Sequence, residues 1–238
     1  MQSQGLYDAV ILQPTDELLY AIYTYELDEI YAQTNAVFQS CGMNPAEETT
    51  SFHRSTVTTK NAIVSMQYGW KQFFPFNFKP TSDCMWLLAH LLNRQDVRKV
   101  YGDVKDPQNT LAIKFRVTRG VAEGECEALQ HRFVLRRFVE KDREVYVWKA
   151  SIVGDGEYRG MQMEQTGWCV LRPLREGTFG EVCVRQVPLH LRSAEEICQP
   201  TATRFHDFVQ DMVRENSEVA TAMAKNLLLE DALNGIHL

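Results

Sequence analysis

The stretch Thr110-Leu111-Ala112-Ile113-Lys114-Phe115-Arg116-Val117-Thr118 alternates strictly. Leu111, Ile113, Phe115 and Val117 fall on one side, while Thr110, Ala112, Lys114 and Arg116 fall on the other. Strand side chains point to opposite faces in turn, so the stretch reads as a β-strand with one apolar and one solvated face. Four more candidate strands follow around 130–139, 144–153, 162–172 and 178–187. Glu140-Lys141-Asp142, Gly154-Asp155-Gly156 and Arg175-Glu176-Gly177 separate them. Parallel neighbours would need crossovers of a dozen residues or more. Connections this short therefore predict an antiparallel meander from Thr110 to Pro188.

Two further strands are expected upstream, over 51–59 and 62–74, with Lys60-Asn61 as the turn. Pro75 and Pro80 then punctuate the chain, and Ser82 is the expected cap of a helix carrying Met85, Trp86, Leu88, Ala89 and Leu92. Apolar on nearly all sides, that helix is expected to be deeply buried. Residues 1–14 read as a loose tail and 15–45 as an amphipathic helix. Thr15 would cap it, Asp16 and Glu17 would face the dipole, and Gly42 and Pro45 would stop it. Its apolar positions are Leu18/Leu19, Ile22/Tyr23, Leu27, Ile30/Tyr31 and Val37/Phe38.

Downstream of Pro200, the residues Phe205, Phe208/Val209, Met212/Val213, Val219/Ala220, Met223/Ala224 and Leu227 keep one helical stripe up to Asn234-Gly235. About 30 residues at 1.5 Å each make a helix of roughly 45 Å. The sum is an α+β chain of one domain, 50–235, behind an added N-terminal helix.

With 238 residues, 45% hydrophobic and 24% charged, the composition is that of an ordinary globular protein. Twenty-five Lys+Arg against 31 Asp+Glu give a net charge of −6, so no nucleic-acid partner is expected. The longest apolar run, Cys84 to Leu92, is far short of the ~20 residues a membrane span requires. No secretory peptide is visible at the N-terminus, and no lipidation motif at either end. The six cysteines (41, 84, 126, 169, 183, 198) never form a CxxC pair. They are expected to be reduced, mostly buried thiols of a cytoplasmic protein.

No GxSxG elbow, P-loop, GxGxxG or HExxH pattern is present, so no catalytic residue, cofactor or metal is expected. His190, Cys198 and His206 recur every eight residues, a spacing that suits neither a helix face nor a tight turn. Gly154-Asp155-Gly156-Glu157 resembles a fragment of a calcium loop without its remaining ligands, and reads as a hairpin turn. The basic run from His131 to Arg137 splits by parity. Arg132 and Arg136 share a mixed face with Val134 and Phe138, while Arg137 is the one charge among Phe133, Leu135 and Val139. A guanidinium so placed must be paired, hydrogen-bonded or facing a wet cavity. Structural ion pair and pocket anchor are both open readings.

The order of elements, with two motifs, is similar to the START (steroidogenic acute regulatory protein-related lipid transfer) domain family. Arg132-Phe133-Val134-Leu135-Arg136-Arg137 resembles the family's Arg-Asp-Phe-Val-x-x-Arg strand with the Asp deleted. Thr166-Gly167-Trp168-Cys169-Val170-Leu171-Arg172-Pro173-Leu174 resembles its Ser-Gly-Trp-x-x-x-x-Pro-Leu strand. The likeness spans about residues 50–232 and is greatest to the START-like proteins abundant in oomycetes. It implies a helix-grip fold, a curved antiparallel sheet wrapped around a long C-terminal helix, with a tunnel for one hydrophobic ligand between them. It also implies a lipid or sterol-like ligand, transient contact with a membrane surface and no catalytic step.

Arg137 falls on the Arg that sterol-binding members place in the tunnel, though Leu111 to Thr118 lacks the acid that pairs with it there. Leu135, Trp148, Phe208, Met212 and Met223 complete the expected cavity set, with Phe208, Met212, Val219 and Met223 as its roof. The other readings are an interaction or regulatory module that has lost its ligand, and an enzyme using the same cavity.

Overall fold

A computed structural model describes residues 14–41, 51–60, 63–91, 98–120, 126–189 and 199–234. Residues 1–13 of the expected tail, the stop signals Gly42 and Pro45, and His190 and Cys198 lie outside these. The elements run α1 (Pro14–Ala32), α2 (Thr34–Ser40), β1 (Ser51–Lys60), β2 (Ile63–Phe74), α3 (Phe78–Leu91), β3 (Arg98–Val100), β4 (Thr110–Gly120) and β5 (Cys126–Val139). Then come β6 (Glu144–Asp155), β7 (Gln162–Leu174), β8 (Gly177–Pro188) and α4 (Pro200–Asn234).

All eight strands form one antiparallel sheet in the order β1-β2-β8-β7-β6-β5-β4-β3. The meander from β3 to β8 follows chain order, and the β1–β2 hairpin closes onto β8. This is the α+β helix-grip fold: a curved sheet holding the 35-residue α4 against one face. Strand parity sorts the core into two layers. Leu111, Ile113, Phe115, Leu135, Tyr146 and Ile152 point inward and pack with Phe205, Phe208, Val209 and Met212 of α4. Ala112, Val134, Val145, Val147, Trp168 and Cys183 point outward and pack under α1.

The outer layer explains the basic run. Asp16 is 1% exposed and receives Lys114 Nζ at 2.9 Å and also Arg132 Nε. Arg136 Nη1 donates to Asp28 at 2.9 Å and its Nε to Thr110 Oγ1 at 3.0 Å. Lys149 pairs with Glu26, and Trp168 Nε1 donates to the Ile30 carbonyl at 2.8 Å. Arg132 and Arg136 of β5 therefore dock α1, as buried charges require partners.

Several expectations change. The N-terminal helix breaks at Gln33, and Tyr20, Tyr23, Leu27 and Ile30 seat it while Leu18 and Ile22 face out. Apolar residues on two of its faces blurred the stripe. Ser82 caps nothing: α3 starts at Phe78, and Pro80 sits in its first turn, where a missing N–H does no harm. Nor is α3 buried all round, for Leu87 and Leu91 are exposed. Cys41 and Cys183, expected as thiols, are joined as a disulfide that ties the end of α2 to β8 across 142 residues. Among the described residues no helix is long and apolar enough to cross a membrane.

Candidate functional site

Between the inner face of the sheet and α4 lies a cavity of about 250 Å³. Parity decides which side chains reach it. Trp148, Ala150 and Ile152 of β6 alternate inward to its wall, as do Gln165, Cys169 and Leu171 of β7. Phe115, Phe133 and Leu135 continue the wall across β4 and β5, and Met85, Leu88 and Ala89 of α3 close one side. Met212, Val213, Asn216, Ser217, Ala220 and Thr221 of α4 form the roof. Among the described residues no Asp, Glu, Lys or Arg lines the cavity.

A larger groove of about 910 Å³ between β2 and α4 adjoins it, sharing Trp70, Gln72, Val213, Ser217 and Thr221. Its lining includes Lys71, Asp211, Arg214, Glu218 and Lys225, so it is charged with both signs. The two spaces share part of their lining, and among the described residues the groove adds charged side chains that the cavity lacks.

Gly167 shapes the wall. A Cβ there would lie 2.7 Å from Cδ2 of Trp148 and nearer still to two other atoms of the indole. Trp148, its cross-strand partner, can therefore lie flat over β7 only because position 167 has no side chain. The next residue, Trp168, points to the other face and holds α1. The Gly-Trp pair thus serves both layers.

A polar chain runs from the wall to α4. Gln186 is fully buried; its Nε2 donates to the Tyr68 hydroxyl at 2.9 Å and to Gln165 Oε1 at 3.0 Å. Gln210 of α4 donates from Nε2 to Gln186 Oε1 at 3.0 Å and lies 3.5 Å from His206 Nε2. Burial holds the His206 imidazole below its usual pKa, with the charge of Asp207 opposing. Burial first, and Glu181 second, push the Cys169 thiol up to about 12, leaving it neutral at physiological pH. No cluster of His, Cys, Asp and Glu suited to a metal occurs among the described residues.

Of the six expected cavity residues, the structure brings Leu135, Trp148 and Met212 together in the lining. Phe208 is buried in the adjoining core, beside Tyr158. Met223 is 36% exposed, and so is Val219 at 49%. The roof instead follows Ala220 of the expected stripe together with Asn216, Ser217 and Thr221, polar residues that a search for apolar positions passes over. Arg137 does point to the inner side of β5 but is absent from the cavity lining. Its Nε and Nη2 both donate to Asn109 Oδ1, at 3.1 and 3.0 Å, and its guanidinium stacks over Trp86 at 4.7 Å. Asn109, one residue before β4, is the partner that the acid-free strand left open. Gln165, Gln186 and Gln210 were missed. Alternation could have found the first, since it stands inward with Met163, Gly167, Cys169 and Leu171.

No protein-family profile matches the sequence, and no curated protein does. Solved structures similar to the chain include the di-domain ARO/CYC StfQ from the steffimycin biosynthetic pathway, at 13% identity and a TM-score of 0.44, over 71% of this chain and 52% of that one. Human STARD10 is 4% identical at a TM-score of 0.45, over 82% and 78%. Ara h 8.0201 is 14% identical at 0.43, over 70% and 99%. The chain spans about half the length of the di-domain structures it matches, 52% and 50%. These are likenesses of fold alone.

Proposed function

We propose that this protein binds one hydrophobic molecule between the sheet and α4, as a START-like lipid carrier of the oomycete type. The observation that carries the reading is the cavity itself. It is walled by aromatic and aliphatic side chains, holds no charged residue among those described, and continues into an open groove. Ligand sites are concave and mainly apolar with a few placed polar groups, which describes this one.

Its 250 Å³ is below the roughly 300–1,000 Å³ usual for such sites, which on its own would favour a module without ligand. The adjoining groove removes that objection, since an amphiphile can seat its apolar end inside and its polar end among the charges of the rim. A space of this size suits a compact ring system or one alkyl segment.

Transfer on this reading is binding, opening of α4 at a membrane and release, with no catalytic step. The net charge of −6 makes contact with anionic lipid brief.

Native mass spectrometry after incubation with sterols, fatty acids and single-chain lipids is expected to show a one-to-one adduct. A chain that emerges empty from its host and takes up none of the panel contradicts the proposal.

A further inference from the structure

The wall of the cavity carries one amide whose hydrogen-bonding is half used. Gln165 is 7% exposed and points inward from β7. Its Oε1 accepts from Gln186 Nε2 at 3.0 Å, and its own Nε2 has no partner among the described residues. An amide nitrogen carries two donors, and a ligand that excludes water from them must supply an acceptor or leave them unmet at a cost. Gln165 cannot swing away to meet them elsewhere. Gln186 fixes its oxygen, and Gln186 is itself fixed by Tyr68 on one side and Gln210 on the other. The neighbours of Gln165 across the sheet on the side away from Gln186 are apolar, Ala150 and then Phe133. The free donor thus stands at the boundary between a glutamine cluster and an aromatic wall.

We infer that Gln165 is the polar anchor of the cavity, and that the ligand is an uncharged hydrophobic molecule presenting an oxygen acceptor, such as a carbonyl, to its Nε2. This rests on the reading that the cavity takes a hydrophobic ligand, and it names the chemical class. A carboxylate or phosphate buried here would meet no Lys or Arg among the described residues, and His131, the histidine of the lining, has its ring stacked on Phe115 at 4.7 Å. Arg137 does not fill that role, both its Nε and its Nη2 being held by Asn109. The chain Gln165–Gln186–Gln210 also ties the anchor to α4, the roof of the site.

Two probes of nearly equal size test this: 2-acetylnaphthalene, which has a ketone oxygen, and 2-ethylnaphthalene, which lacks it. Dissociation constants are read from quenching of tryptophan fluorescence. Wild type is expected to bind the ketone about tenfold more tightly, as one buried hydrogen bond warrants. Gln165→Met, of similar length, should keep its affinity for 2-ethylnaphthalene and lose the preference. Gln165→Leu has no donor and no ionisable group, and should lose the preference too. If Gln165→Met fails to fold by circular dichroism, Gln165→Leu decides. Equal binding of both probes to wild type overturns the anchor and leaves the cavity reading standing. A preference that survives in a folded variant also overturns it. Failure of wild type to bind either probe overturns both.

Discussion

At the scale of single residues, Gly167 and Gln165 make the cavity what it is, and neither is a reactive group. Gly167 leaves room for the Trp148 indole to lie against the sheet, so the wall is smooth where a side chain would project. Gly167→Ala is expected to push Trp148 into the cavity or off its rotamer, at a cost of about 1–3 kcal/mol, the usual range for overpacking. Urea denaturation followed by tryptophan fluorescence checks this, and an unchanged midpoint would show that Trp148 has room to move. The glycine stood out in the sequence as part of a Gly-Trp motif, but what it makes room for could not be read there. The indole it accommodates lies on another strand, 19 residues away in the chain and paired across the ladder.

Among the elements, the N-terminal helix is more deeply integrated than its position at the end of the chain suggests. Asp16 sits between Lys114 and Arg132 at the centre of the outer layer, with side-chain exposures of 1%, 3% and 18%. Removing one member of a buried ion pair leaves an uncompensated charge and typically costs about 3–5 kcal/mol. Asp16→Ala should therefore lower the thermal midpoint by many degrees, and Lys114→Met added to it should restore part of the loss. Differential scanning calorimetry reads both; an Asp16→Ala protein as stable as wild type would mean that α1 is not held by this triad.

Seven of the eight strands were legible, most to within two residues, whereas β5 begins four residues before its expected start and the three-residue β3 was not expected. Alternation of apolar side chains is dictated by the backbone itself, and the turns carry their own glycines and charges. The ends of α4 were legible for the same kind of reason, between Pro200 and Asn234. Its rotation was not. Asn216, Ser217 and Thr221 face the cavity because an unfilled space tolerates polar and small residues that a packed core would reject. The rule that apolar means inside therefore failed where the protein is hollow. The Cys41–Cys183 bridge left no trace in the spacing, because only the fold brings the two together.

For the molecule as a whole, the sheet separates two tasks. Its outer face is closed by α1 through buried salt bridges and Trp168, while its inner face is left partly open beneath α4. A protein selected only for stability would have filled the inner space, since close packing adds favourable contacts that a void lacks. The central claim is that the space is kept for a ligand. It is tested most directly by blocking the space. Ala220 is half-buried in the roof, and Ala220→Trp would fill the space beneath it without touching the outer layer. Uptake of 2-acetylnaphthalene by wild type and Ala220→Trp should differ at least tenfold, with the two proteins equally folded. Equal uptake by both would place binding elsewhere and contradict the account.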